Sequence, residues 1–137
     1  MTQKRGSRWS TADAYLVPAR KRPNLHVLTE AHATRVIFEG TRAVGVEFEK
    51  GGRRTTVTAR KEVVLSGGAI NSPQLLMLSG IGDADELTRH GIPVVHHAPE
   101  VGRNLADHLV CPLGYSVESG SLFTAEKPQQ LLNYLVR

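Results

Sequence analysis

Apolar positions along this chain first alternate and then cluster. In Ala43–Phe48 the residues Val44, Val46 and Phe48 recur with a period of two, which predicts a strand with one covered face. Ala33–Phe38 before it and Arg54–Ala59 after it read as strands too. They are joined by turns at Glu39-Gly40-Thr41-Arg42 and Lys50-Gly51-Gly52. Residues 33–59 therefore predict a three-stranded antiparallel meander, with Leu25–Leu28 a shorter extended run ahead of it. Glu62-Val63-Val64-Leu65-Ser66 is apolar without alternation, the pattern of a strand covered on both faces. After Gly67-Gly68 the period becomes helical. Ser72 suits an N-cap, Pro73 the first helical position, Leu75, Leu76 and Leu78 the buried side, and Gly80 the stop. Asp83 opens a second short helix that Gly91 closes. Residues 10–17 predict a first helix, capped by Ser10, favoured by Asp13 and ended by Pro18. Ile92–Val95 is extended, and so is the run from Leu109 through Tyr115 to Val117. Leu131, Leu132 and Leu135 give the tail, Pro128–Arg137, a helical spacing that stops in mid-pattern. The fold class is α+β: a mixed α/β arrangement with an antiparallel meander.

Composition narrows the function. At 137 residues the chain has the length of one ordinary domain. Its one cysteine, Cys111, cannot form an internal disulfide, no Cys/His cluster has zinc spacing, and Cys111 reads as a buried inert thiol in an apolar strand. No apolar run approaches the roughly 20 residues that span a bilayer. Met1–Arg5 has charge with no apolar stretch behind it, so the expected compartment is cytoplasmic. The net charge is +4, and Lys4, Arg5, Arg8, Arg20, Lys21 and Arg22 crowd the first 22 residues. Such an arm can bind nucleic acid. No aromatic interleaving or recognition helix follows it, so a solvated basic surface with no nucleic-acid partner is preferred.

The feature that carries chemistry is strand, Gly-Gly, capped helix: Val63-Val64-Leu65-Ser66-Gly67-Gly68-Ala69-Ile70-Asn71-Ser72-Pro73. Small residues at a strand end let a ligand approach the backbone, and a helix N-terminus offers N–H groups. A nucleotide site and a packing turn both fit, and Pro73 removes one donor from a phosphate cradle. The histidines read blandly. His96 and His97 face opposite sides of a strand, His26 and His32 are solvated near a turn, and His90 ends a helix. No Gly-x-Ser-x-Gly elbow supports a hydrolase.

Gly68-Ala69-Ile70-Asn71-Ser72-Pro73-Gln74-Leu75-Leu76-Met77-Leu78-Ser79-Gly80-Ile81-Gly82 resembles the second signature of the glucose–methanol–choline (GMC) oxidoreductases at every constrained position. Gly6–Ser10, Arg22–Leu25, Thr41–Phe48 and Val101-Gly102-Arg103-Asn104-Leu105-Ala106-Asp107-His108 resemble further stretches of that family, nearest to its choline-dehydrogenase-like alcohol dehydrogenases. The resemblance implies FAD as cofactor and a small-molecule alcohol as substrate. It implies cofactor-binding positions at Ala33, whose main chain would lie along the adenine, and at Ser66, Gly67 and Gly68, where the chain returns beside the cofactor. Asn104, Asp107 and His108 read first as structural, fixing a crossover.

The departures are informative. A Gly-x-Gly-x-x-Gly turn for the pyrophosphate is missing: Gly80-Ile81-Gly82 runs into Asp83-Ala84-Asp85. The family's catalytic histidine lies beyond the stretch that this sequence matches, so no residue here is assigned to catalysis or to a metal. The expectation is an internal fragment. Residues 1–108 would be the later part of the FAD-binding domain, and residues 109–137 the beginning of the substrate-binding domain. The reaction is FAD-dependent oxidation of an alcohol CH–OH to an aldehyde or ketone, with the isolated chain inactive. A complementing or FAD-adenosine-binding module, partnered by missing halves or by itself, is the alternative. A basic nucleic-acid-binding domain ranks last.

Overall fold

A computed structural model describes residues 3–116 and Leu132. It divides into two compact units, Met1–Leu105 and Ala106–Arg137. The first unit opens on a hairpin, β1 (Gln3–Lys4) and β2 (Ser7–Arg8). Arg5 and Gly6 both have positive φ at its tip, the conformation that matches the twist of paired strands. The Lys4 ammonium lies over the Trp9 ring, 4.4 Å from its centre.

A helical segment follows. Ala12–Leu16 forms a wide π-type turn that continues into α1 (Val17–Ala19). Ser10 starts it as expected: its carbonyl accepts the Ala14 N–H at 3.0 Å and its hydroxyl the Asp13 N–H at 3.2 Å. The Asp13 carboxylate returns the favour by accepting the Ser10 N–H at 3.0 Å, a reciprocal cap that holds the Asp13 carboxyl below its usual range. Pro18 does not end the helix. It sits inside α1, directly after the π-type turn that precedes it. Leu25–Leu28 is not a strand either. No ladder partner lies beside it among the described residues, and Val27 and Leu28 are exposed.

The meander forms as the alternation dictates: β3 (His32–Glu39), β4 (Arg42–Lys50) and β5 (Arg53–Thr58), antiparallel in that order. Val36, Val46 and Val57 align across the three strands, and Val36 is buried. Gly45 has to be glycine, because a Cβ there would stand 2.5 Å from the Val57 carbonyl oxygen. The β3–β4 register shifts twice, between Ile37 and Phe38 and, nearer the start of β3, between Ala33 and Arg35. Ala33 pairs with Phe48 and Arg35 with Glu47, so Thr34 is an extra, bulged residue. It shifts the side-chain alternation by one and brings Ala33 to the same sheet face as Val36.

The next segment departs from expectation. Residues 62–66 are extended but form no strand among the described residues, and Val64 is 73% exposed. A strand needs a hydrogen-bonding neighbour, and none is present here to turn an apolar run into a covered one. α2 (Gly68–Leu78) begins earlier than its capping signals imply. Ser72 lies inside it, where its hydroxyl accepts the Gly67 N–H at 3.0 Å, and Pro73 sits within the helix, not at its first position. Pro73 lies beyond the first turn, so α2 forgoes the hydrogen bond that an N–H there would give to the Ala69 carbonyl. Leu75 and Leu76 are partly buried, whereas Leu78 is exposed. Gly80 closes the helix with φ +89°.

The chain then makes a small parallel pair, β6 (Ile81–Gly82) with β7 (His96–His97), wrapped around α3 (Ala84–Arg89). The strand character expected at Ile92–Val95 appears only at His96–His97, because Val95 and His96 N–H groups first bind the Gly80 carbonyl (2.8 and 3.1 Å). Asp83 caps α3 as expected, accepting the Asp85 and Glu86 N–H groups at 3.1 and 3.2 Å, and Arg103 adds an ion pair at 3.1 Å. These contacts, the amide bonds foremost, hold the Asp83 carboxyl below its usual range. Leu87, 2% exposed, anchors α3. Met77 fills the space beside Gly82 and Gly102. Asn104 takes a left-handed conformation (φ +58°) and donates to Glu100.

In the second unit residues 109–116 form no strand, and Cys111 is exposed, not buried, since no second layer covers it among the described residues. Asp107 and His108 are exposed as well, linked by the His108 N–H to the Asp107 carboxylate at 2.7 Å. Val117 and, apart from Leu132, which is helical, the expected tail helix lie outside the described residues. Among the described residues no helix is long and apolar enough to cross a membrane. Helices and an antiparallel sheet share one chain, so the α+β class holds.

Candidate functional site

Two of the four expected cofactor positions meet in space. Ala33 on β3 and Gly67 at the start of α2 border one open cleft of about 550 Å³. That volume lies within the range of small-molecule sites, roughly 300–1,000 Å³. One wall is the entry to β3, Ala31 to Ala33. The other is α2, through Asn71, Gln74, Leu75 and Leu78, with Leu65 and Gly67 between the walls. Ser66 and Gly68 flank this cleft in sequence without lining it, and Ser66 stands on the unpaired extended segment and not at a strand end.

Each wall has a local cause. Thr34 fixes the bulge: its hydroxyl donates to a Glu47 carboxylate oxygen at 2.7 Å, and Glu47 also meets the Arg35 guanidinium at 3.4 Å. The Thr34 hydroxyl first, and the Arg35 and Arg54 charges after it, hold the Glu47 carboxyl below its usual range. The bulge that the Thr34–Glu47 bond pins puts Ala33 on the sheet face of Val36, where it borders the cleft. At the other wall, Gly67 is closely packed. A Cβ would come within 3.1 Å of the Asn71 Cβ and 3.3 Å of the Ser72 nitrogen. Gly68 needs its freedom for φ +83° and has open space around it. The glycine pair thus shapes a turn, and the hydrogen bond from Gly67 to Ser72 closes it.

The chemistry of the lining tests what the cleft can hold. Among the described residues no Lys, Arg, Asp or Glu lines it. Its polar groups are amides, a hydroxyl and one imidazole, beside leucine and alanine surface. Such a lining suits an uncharged, flat, hydrogen-bonding group with main-chain contact, as the adenosine end of FAD would be. It does not suit a pyrophosphate, whose charge calls for cations or a ring of free amides. The residues present fit one end of the cofactor.

The sequence did not announce the bulge or the Glu47 latch. Thr34 facing Glu47 across a hairpin is a visible pair only once the register is known. Nor did it announce a second hollow of about 300 Å³, lined by Val36, Phe38, Leu78, Ser79, Ile92 and Val95 among others.

Comparison with known proteins places the chain. Residues 1–110 match the GMC oxidoreductase family model. An uncharacterized GMC-type oxidoreductase of Mycobacterium tuberculosis is 64% identical over all 137 residues, which are 26% of its length. Human mitochondrial choline dehydrogenase is 63% identical over 109 residues, 80% of this chain and 18% of that protein. Among solved structures, pyridoxine 4-oxidase from Mesorbium loti superposes with a TM-score of 0.66 at 35% identity, over 72% of this chain and 19% of that one. An FAD-dependent oxidoreductase from Chaetomium thermophilum superposes with a TM-score of 0.58 at 36% identity, over 61% of this chain and 15% of its own. The chain thus spans about a quarter of the length of that mycobacterial relative and less of the others. GMC oxidoreductases depend on FAD. With a family model covering most of its residues, this chain belongs to the GMC oxidoreductases.

Proposed function

We propose that this chain supplies the adenosine-side wall of the FAD site in an enzyme that oxidises an alcohol to an aldehyde or ketone. The observation that carries the reading is the cleft that brings Ala33 and Gly67 together across β3 and α2. FAD, when bound, supplies hydride acceptance at its flavin ring. This chain's residues do the holding. The Ala33 main chain presents its peptide edge to the adenine, while Asn71, Gln74 and the leucine surface of α2 flank it. Ser66 and Gly68 complete the turn that brings Gly67 into place. No residue here is assigned to proton transfer, and the chain alone turns over no alcohol.

The same proposal assigns residues 1–108 to the later part of the FAD-binding domain and residues 109–137 to the beginning of the substrate-binding domain. The nearby limit between the two compact units supports that division. A cytoplasmic location is proposed with it. A chain restricted to binding, completed by further polypeptide, is the alternative favoured by the exposed apolar run at Val64.

Titration of the purified chain with FAD, followed by flavin anisotropy, tests the reading. Saturable binding that ADP competes away and riboflavin does not is the expected outcome. Riboflavin competition, or no binding to a chain folded by circular dichroism, would overturn it. Alcohol-dependent reduction of a dye acceptor by the isolated chain would overturn the assignment of catalysis elsewhere.

A further inference from the structure

We infer that Ser79 is the positioning residue of the adenosine cleft, the hydroxyl that sets the distance between its two walls. The inference rests on the cofactor reading above. Ser79 stands at the C-terminal end of α2 and is 7% exposed, the one buried polar residue among those described. Its hydroxyl accepts the Val36 N–H at 2.8 Å and donates to the Leu75 carbonyl at 2.5 Å. Val36 lies on β3, 43 positions away in sequence, and is itself buried.

The geometry gives this bond more weight than an ordinary side-chain contact. β3 is an edge strand, with β4 on one side only. The Val36 N–H points to the other side, and Ser79 is its partner there. Among the described residues it is the only hydrogen bond that joins β3 to α2 or to the residue capping it. Apolar contact alone would favour closeness without fixing register. Ala33 stands three residues along β3 from Val36, and Leu75 and Leu78 lie on the last two turns of α2. A hydroxyl tied to Leu75 on one wall and to Val36 on the other therefore sets where Ala33 stands opposite the helix. The bulge at Thr34 puts Ala33 on the sheet face of Val36, and Ser79 fixes how far the helix stands from it.

The test compares Ser79→Ala, Ser79→Thr and Ser79→Cys in the 137-residue chain, with Leu87→Ala as a destabilised control whose side chain does not line the cleft. Three quantities are read: FAD dissociation constant, hydrogen exchange at the Val36 amide, and far-UV circular dichroism. Ser79→Ala should weaken FAD binding about tenfold and speed Val36 exchange by a similar factor, with secondary structure retained. Ser79→Thr, which keeps the hydroxyl, should restore both. Ser79→Cys preserves volume with a weak donor and should fall between them, so it carries the test if the alanine variant unfolds. Leu87→Ala should lower stability with FAD affinity of its folded fraction unchanged. An alanine variant that binds FAD within twofold of the parent would overturn the inference, and so would a threonine variant as weak as alanine. If the parent chain binds no FAD, the cofactor reading falls, and unchanged Val36 exchange in Ser79→Ala would separately sink the role of Ser79.

Discussion

Replacing Gly80 by alanine should be among the most damaging single changes in this chain. Two costs combine. Gly80 has φ +89°, where an L side chain is strained by about 1–2 kcal/mol. Its new Cβ would also stand 2.4 Å from the Pro93 carbonyl oxygen, 2.9 Å from the Val95 Cγ2 and 3.1 Å from the Val95 nitrogen. Relief by retreat is blocked, because the Gly80 carbonyl accepts both the Val95 and His96 N–H groups and so holds that segment close. Forcing an atom into such a space typically adds about 1–3 kcal/mol. The sum is roughly 2–5 kcal/mol, a large share of a small domain's total stability. Gly40→Ala separates the two costs, since Gly40 also has positive φ (+59°) but nothing within 4 Å of its would-be Cβ. Urea denaturation followed at 222 nm is the assay. With a slope of about 1–1.5 kcal/mol per molar, the Gly80 variant should lose about 1.5 M or more of midpoint, and the Gly40 variant about 1 M. Equal losses in the two variants would show that the close approach of Gly80 to Pro93 is not felt, and the reasoning from it would fail.

Other expectations follow from the same structure. Leu87→Ala should cost about 2–5 kcal/mol in the same assay, because Leu87 is nearly fully buried against the β6–β7 pair. Asp13, Glu47 and Asp83 all have carboxyls held below their ordinary values of 3.8, 4.5 and 3.8. Their contribution is therefore complete above those values and is lost as pH falls through the lowered ones. The urea midpoint should be level from about pH 7 to 5 and decline below about pH 4. A midpoint that rises on acidification would contradict this. Asp83→Ala should lower the midpoint at neutral pH by removing the cap of α3 and the Arg103 pair, and the gap to the parent should narrow in acid. Cys111 should react with a thiol reagent at one equivalent per chain under native conditions, and protection that needs denaturant to lift would place it under cover. Ala33→Trp should abolish flavin binding while leaving the meander's circular dichroism in place, since Ala33 is exposed on the cleft.

Local signals were legible where the physics is local. The meander, the Ser10 and Asp13 start, the Asp83 cap and the Gly80 and Gly91 stops each follow from residues within a few positions of one another. What failed to be legible depended on neighbours that sequence cannot display. Residues 62–66 carry a covered-strand pattern, yet a strand exists only beside another strand. Cys111 sits in an apolar run, and only a second layer makes such a run an interior. Ser72 and Pro73 are good starting residues for a helix that starts earlier, because the Gly67 turn folds back onto Ser72. At the site, Ala33 and Gly67 were identified by resemblance, and their meeting depended on a bulge and a buried hydroxyl that no periodicity reveals.

The extra residue at Thr34 makes the cleft sensitive to length more than to identity. The expected contact at Ala33 runs through main chain, so small side chains can be exchanged there at little cost. Removing one residue from β3 is another matter. It would turn Ala33 and everything upstream of it to the opposite face of the sheet, while leaving Val36, Val46 and Val57 aligned. A screen of point substitutions would find this stretch permissive, and a screen of single-residue deletions would find it intolerant. The cleft is thus encoded by a count of residues, and only secondarily by which residues they are.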